Sequence, residues 1–171
     1  MAKQPIPATK RSGCAWDTST SSAQPNWRSG LSTRELGVVL TEFENVAADT
    51  VTAGGGRVVK LIGDEILYTA GDEHSACTIA LELAAAFADH PRVPMVRVGV
   101  AGGDVMLRDG DVFGPVVNLA ARAVKVAGPG EIVAPPAIPA AAGRASEPLG
   151  QRELKGFSDG VELCRVLAIG C

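Results

Sequence analysis

Two stretches of this chain hold side chains whose types and spacing could do chemistry. Lys60-Leu61-Ile62-Gly63-Asp64 puts a cation inside a strand-like run and a carboxylate on the Gly-Asp pair that turns it. Gly-Asp is a common turn, and that reading stands beside a functional one. A carboxylate on a rigid turn is well held for a divalent ion, because hard ions such as Mg²⁺ take oxygen ligands and share them with phosphates. One carboxylate makes a thin site, since a pair of ions normally needs more than one protein ligand. The run Asp111-Val112-Phe113-Gly114-Pro115-Val116-Val117-Asn118-Leu119-Ala120-Ala121-Arg122 is richer. Asn118 and Arg122 are four apart, so on a helix both side chains leave from one face. An amide beside a guanidinium suits a ligand with a hydroxyl and an anionic phosphoryl group, and the planar arginine fork serves the latter better than a lysine. The alternative is an exposed polar face with Arg122 in a surface salt bridge.

The elements that must position these residues are legible in the periodicity. Ser32-Thr33-Arg34-Glu35 is a capping box, and Leu36, Val39, Leu40, Phe43, Val46 and Ala47 recur at helical spacing, so a helix is expected over about 33–52. Gly54-Gly55-Gly56 stops it. Residues 57–62 and 65–69 read as a hairpin turned at Gly63-Asp64. A second helix follows over about 73–89, ended by Pro91, with Ala76, Ala80, Leu83, Ala84 and Phe87 as its core stripe. Val96, Val98 and Val100 alternate as a strand, and 105–107 returns from it. Pro115 opens a helix running to about Val126, 131–133 is strand-like, 134–150 reads as a loop with a short helix near Ile138, and 161–167 as a last strand. Residues 1–30, with Thr18-Ser19-Thr20-Ser21-Ser22 and three prolines, carry neither a period of 2 nor of 3.6 and read as an irregular arm. The domain is expected over 31–171.

Composition bounds the class. In 171 residues, a 46% hydrophobic fraction and a mean hydropathy of +0.17 suit one packed domain. A net charge of −3 argues against nucleic acid or an anionic membrane surface as a partner. Cys14, Cys77, Cys164 and Cys171 form no C-x-x-C pair and read as free thiols in a reducing compartment. No apolar run is long enough to cross a bilayer, and no h-region follows Met1-Ala2-Lys3. A cytoplasmic location is the expectation.

Taken in order and spacing, three segments resemble the class III adenylate/guanylate cyclase catalytic domain: Gly56–Asp64, Arg97-Val98-Gly99-Val100-Ala101-Gly102-Gly103, and Asp111–Arg122. Gly128-Pro129-Gly130-Glu131-Ile132 and Leu154-Lys155-Gly156-Phe157 extend the likeness. The resemblance implies an α+β fold with a ferredoxin-like βαββαβ core and extra C-terminal strands, paired head to tail with active sites between subunits. It implies that Asp64 is one of two metal-binding aspartates, for Mg²⁺ or Mn²⁺. By the same carry-over Lys60 and Asp111 recognise adenine, Asn118 orients the nucleotide, Arg122 stabilises the transition state, and Lys155 lies near the distal phosphates. The implied reaction turns ATP into 3′,5′-cyclic AMP and pyrophosphate, in a homodimer or a heterodimer with another cyclase domain. An inactive or truncated homologue that binds nucleotide or pairs with an intact cyclase is the alternative. The family's opening strand, which ends in the first metal-binding aspartate, is expected to be degenerate or missing here; the nearest candidate is Asp17, after Arg11-Ser12-Gly13-Cys14-Ala15-Trp16.

Overall fold

The computed structural model describes residues 9–10 and 12–17 by their backbone and residues 30–168 in full. Strands β1 (Thr9–Lys10) and β2 (Ser12–Asp17) precede helix α1 (Thr33–Ala53). There follow β3 (Arg57–Ile62), β4 (Glu65–Ala70), α2 (Glu73–Ala86), β5 (Arg97–Ala101), β6 (Asp104–Arg108) and β7 (Asp111–Phe113). The chain closes with α3 (Pro115–Val124), β8 (Ile132–Ala134), α4 (Ala137–Ala141), β9 (Ser146–Arg152) and β10 (Val161–Val166). Seven strands form one sheet in the order β3-β4-β2-β5-β8-β10-β9, and β1-β6-β7 make a small second sheet. From β2 to β5 the element order is βαββαβ, and these four strands are neighbours in the sheet, which is the expected ferredoxin-like core.

The sequence reading needs correction at its start. The first strand is not missing: β2 pairs antiparallel with β4 from Ser12↔Ala70 to Asp17↔Glu65, and with β5 from Gly13↔Ala101 to Asp17↔Arg97. The irregular arm expected over 1–30 therefore contains two strands, and the domain includes residues before 31. A strand flanked by partners on both sides is held by two hydrogen-bonded ladders. It need not carry the polar–apolar alternation or the β-branched run that marks a half-exposed strand. Degenerate in composition, it is intact in topology. The segment 18–29 lies outside the described residues.

Smaller differences have local causes. Helix α2 stops at Ala86, short of Pro91, with Phe87 closing it through its own N–H to Leu83 O at 3.3 Å. The Ala/Pro/Gly-rich stretch holds the short helix expected near Ile138, as α4, and beyond that expectation also β9, which pairs with β10 and carries Pro148 and Gly150 on the sheet's outer edge, where neither interrupts a second ladder.

Alternation along the strands sends side chains to two cores. Ile66, Tyr68, Val98 and Val100 face α1 and α2 together with Val39, Phe43, Ala47, Val51, Ile79 and Leu83. Phe43 and Phe87 pack with ring centroids 5.7 Å apart, each burial contributing roughly 1.5–3 kcal/mol. On the opposite face Val133 and Leu163 pack against Ala123 of α3, and Leu67 joins Val105 and Val112. The capping box at the start of α1 forms as expected: Ser32 N–H donates to Glu35 Oε2 at 2.8 Å, and Glu35 N–H to Ser32 Oγ at 3.3 Å.

Candidate active site

The β3–β4 hairpin and the β7–α3 unit meet through one ion pair. Lys60 Nζ donates to Asp111 Oδ2 at 2.6 Å, joining residues 51 positions apart. Both are about one-third exposed, 39% and 31% for the side chains. Asp111 Oδ1 also accepts from Val112 N–H at 2.8 Å. The Lys60 hydrogen bond, followed by that backbone bond, holds the Asp111 carboxyl below the usual carboxylate range. The pair thus sits at the surface as a preformed donor and acceptor.

Helix α3 presents Asn118 and Arg122 four residues apart, as their spacing requires. Gly114 (φ 147°) and Pro115 open it, and Ala120, Ala123 and Val124 are its buried side. Asn118 is exposed and Arg122 half-buried, so both polar ends leave the packed face. The helix lies unusually close to the sheet at Gly99, where an added Cβ would stand 2.2 Å from Ala120 O and 2.6 Å from Val124 N. Only glycine permits that approach.

Asp64 is 5% exposed at the hairpin tip, after Gly63 (φ 63°), a left-handed position that favours glycine. The register brings Asp17, at the end of β2, directly opposite Glu65, the residue after Asp64. Both sequence-selected acids therefore belong to the same end of the sheet. The donor chemistry there is all carboxylate, which fits Mg²⁺ or Mn²⁺ completed by phosphate and water oxygens. Among the described residues no group of three or more His, Cys, Asp or Glu is placed to hold an ion by itself. Lys155 stands apart from these groups. It is exposed in the loop between β9 and β10, at the opposite edge of the sheet from β3, beside a cleft of about 790 Å³ lined also by Gln151, Phe157 and Ser158.

Comparison with known proteins agrees with this architecture. No family model matches the chain. An adenylate cyclase of Streptomyces coelicolor is 50% identical over 93 residues, which is 54% of this chain and 24% of that protein. A pH-sensitive adenylate cyclase of Mycobacterium tuberculosis is 32% identical over 143 residues, 80% of this chain and 36% of that protein. The crystal structure of an adenylate/guanylate cyclase/hydrolase from Silicibacter pomeroyi superposes with a TM-score of 0.79 over 95% of this chain and 98% of that one, at 23% identity. The catalytic core of a rhodopsin-guanylyl cyclase with converted specificity, in complex with ATPαS, gives a TM-score of 0.82 over 94% and 97%, at 20% identity. The chain belongs to the class III nucleotide cyclase catalytic-domain family. It spans about a quarter of the length of the first curated relatives it matches. No described helix of this cyclase domain is long and apolar enough to cross a membrane. Asp17 ends a strand that composition did not mark: β2 shows only in its pairing with β4 and β5, so register, not composition, gives that residue its place in the sheet.

Proposed function

We propose that this domain converts ATP to 3′,5′-cyclic AMP and pyrophosphate at sites shared between two cyclase domains. The observation that carries the reading is the 2.6 Å pairing of Lys60 with Asp111. Adenine offers an acceptor at N1 and a donor at N6. Lys60 can donate to the first and Asp111 accept from the second, each exchanging its bond to the other for one to the base. Guanine has the opposite pattern at that edge, and each mispaired group costs about 1–3 kcal/mol.

Asn118 would hold the nucleotide in orientation. As the ribose 3′-oxygen bonds to the α-phosphorus, its proton leaves and the bond from that phosphorus to pyrophosphate breaks; Arg122 meets the charge that builds on the phosphoryl oxygens. Asp64 and Asp17 would hold divalent ions, and Lys155 would approach the distal phosphates. Mg²⁺ or Mn²⁺, when bound, makes the attacking oxygen more nucleophilic and neutralises the leaving group.

The exposed apolar side chains support a second protomer. Leu61 and Ile62 beside Lys60, Phe113 near Asp111, and Met106 are each more than a third exposed, and such clustering around polar groups suits a protein interface. In a homodimer, or a heterodimer with another cyclase domain, Asp64 and Asp17 of one chain face Lys60, Asp111, Asn118 and Arg122 of the other. A lone chain is then inactive.

The test is purified protein with ATP and Mn²⁺, assayed for cyclic AMP beside Asp64→Ala, Arg122→Ala and Asp17→Ala. The expected result is activity that rises with protein concentration and is lost in all three variants. ATP binding without cyclic AMP at any protein concentration would contradict catalysis and leave a nucleotide-binding partner domain.

A further inference from the structure

Helix α3 is held differently at its two ends. Among the described residues no side chain caps its start at Gly114. Gly99 sets how close the helix comes to the sheet, but a glycine has no side chain to keep the far end from turning. That end has one. Lys125 N–H donates to Arg122 O at 3.1 Å and Ala127 N–H to Ala123 O at 3.2 Å, which closes the last turn. Just beyond, Gly128 N–H donates to Glu131 Oε2 at 2.9 Å. The other carboxylate oxygen, Oε1, pairs with Arg165 Nη2 of β10 at 2.7 Å, and Arg165 Nη1 donates to Glu147 Oε2 of β9 at 2.8 Å. Glu131 is itself fixed to the sheet, because Val98 N–H of β5 donates to its carbonyl at 3.0 Å. Glycine at 128 leaves the carboxylate room, since an added Cβ would stand 3.2 Å from both Glu131 Cδ and Oε2. A carboxylate just past a helix C-terminus opposes the helix dipole, and Arg165 supplies the cation that offsets it. The pair is about one-third exposed, 29% and 36% for the side chains, and exposed ion pairs add little stability by themselves. What this one fixes is geometry. The competing role is a surface pair that merely duplicates the loop's backbone bonds, Glu131 N–H to Gly128 O at 3.0 Å and Gly130 N–H to Val96 O at 2.7 Å.

We propose that Glu131, seated by Arg165, is a positioning residue for Arg122: it fixes the last turn of α3 and so the direction in which that guanidinium leaves the helix. The proposal rests on the reading that Arg122 meets the charge developing during phosphoryl transfer. A group that acts only in the transition state changes kcat and kcat/KM equally and leaves KM alone. A misplacement of about 1 Å at reacting groups can cost about 100-fold, so a loosened turn should cost about tenfold in kcat.

The experiment compares the whole chain as wild type, Glu131→Ala, Glu131→Gln and Arg165→Met, with ATP and Mn²⁺. Hydrogen exchange across 115–127 and thermal melts accompany the kinetics. Arg92→Ala is the control, since it breaks a similarly short ion pair on another element, with Glu42 of α1 at 2.6 Å. The expected result for Glu131→Ala is a kcat lower by about tenfold, KM within about twofold, and faster exchange confined to 122–127. Glu131→Gln keeps an oxygen for Gly128 N–H and should regain most of the lost kcat. Arg165→Met should fall between the two, and it carries the test if Glu131→Ala does not fold. Arg92→Ala should keep wild-type kcat and wild-type exchange in α3, whatever its melting temperature. Wild-type kcat and exchange in Glu131→Ala would make the pair redundant with the backbone bonds and overturn the proposal. So would a loss of kcat no larger than the unfolded fraction accounts for. If wild type makes no cyclic AMP, the cyclase reading fails by itself, and exchange in Glu131→Ala decides: unchanged rates at 122–127 overturn the role of Glu131, and faster rates sustain it.

Discussion

Gly99→Ala tests how the sheet positions α3, the helix proposed to carry Asn118 and Arg122 to the nucleotide. An alanine Cβ at this position would lie 2.2 Å from Ala120 O, 2.6 Å from Val124 N and 2.8 Å from Val124 Cγ2. Two of these three atoms are backbone and cannot swing aside, so α3 itself must lift by about 1 Å to restore ordinary contact. Overpacking of this kind costs about 1–3 kcal/mol. The lifted helix carries Asn118 and Arg122, and a misplacement of about 1 Å at reacting groups can lower turnover about 100-fold. Urea denaturation would measure the first effect and cyclic AMP formation by the folded fraction the second. Gly37→Ala is the control: it sits inside α1 with nothing within 4 Å of an added Cβ, and it should stabilise the protein by about 0.5–1 kcal/mol. A Gly99→Ala protein with wild-type stability and turnover would refute the claim that β5 sets the height of α3.

Other outcomes follow from the same contacts. Lys60→Ala should change stability by less than about 1 kcal/mol, because the Lys60–Asp111 pair is partly exposed. The same variant should narrow the ratio of kcat/KM for ATP over GTP by about 5–150-fold. Since Asp111 is depressed by Lys60 first and by Val112 N–H second, its stabilising contribution is present above the unfolded value near pH 4. That contribution is lost as pH falls through the lower folded value, and Asp111→Asn should flatten this part of an acid-unfolding curve. Burial pushes the Cys77 thiol up to about 11. It should therefore resist a thiol reagent at pH 8 until denaturant is added, and stability should decline from about pH 8.5 as the unfolded thiol ionises while the folded one does not.

Much of this was legible because helices and edge hairpins write their environment into the sequence. The Ser32–Glu35 box fixed the start of α1, and Gly63-Asp64 fixed the hairpin tip. The four-residue spacing of Asn118 and Arg122 survived as one polar face of α3 because Ala120, Ala123 and Val124 take the other. What periodicity could not convey was pairing. β2 is defined by Cα partners in β4 and β5, and nothing in Ser12-Gly13-Cys14-Ala15-Trp16-Asp17 encodes those partners locally. β9 was hidden for a related reason, since Pro148 and Gly150 argue against a central strand but not against an edge one.

The most direct measurement mixes Asp64→Ala with Arg122→Ala, each inactive alone. A site that draws Asp64 from one chain and Arg122 from its partner is whole once in every mixed dimer. Equal amounts should regain about a quarter of wild-type cyclic AMP formation, given statistical exchange between symmetric dimers. A mixture as inactive as its components, despite demonstrated subunit exchange, would contradict a shared site.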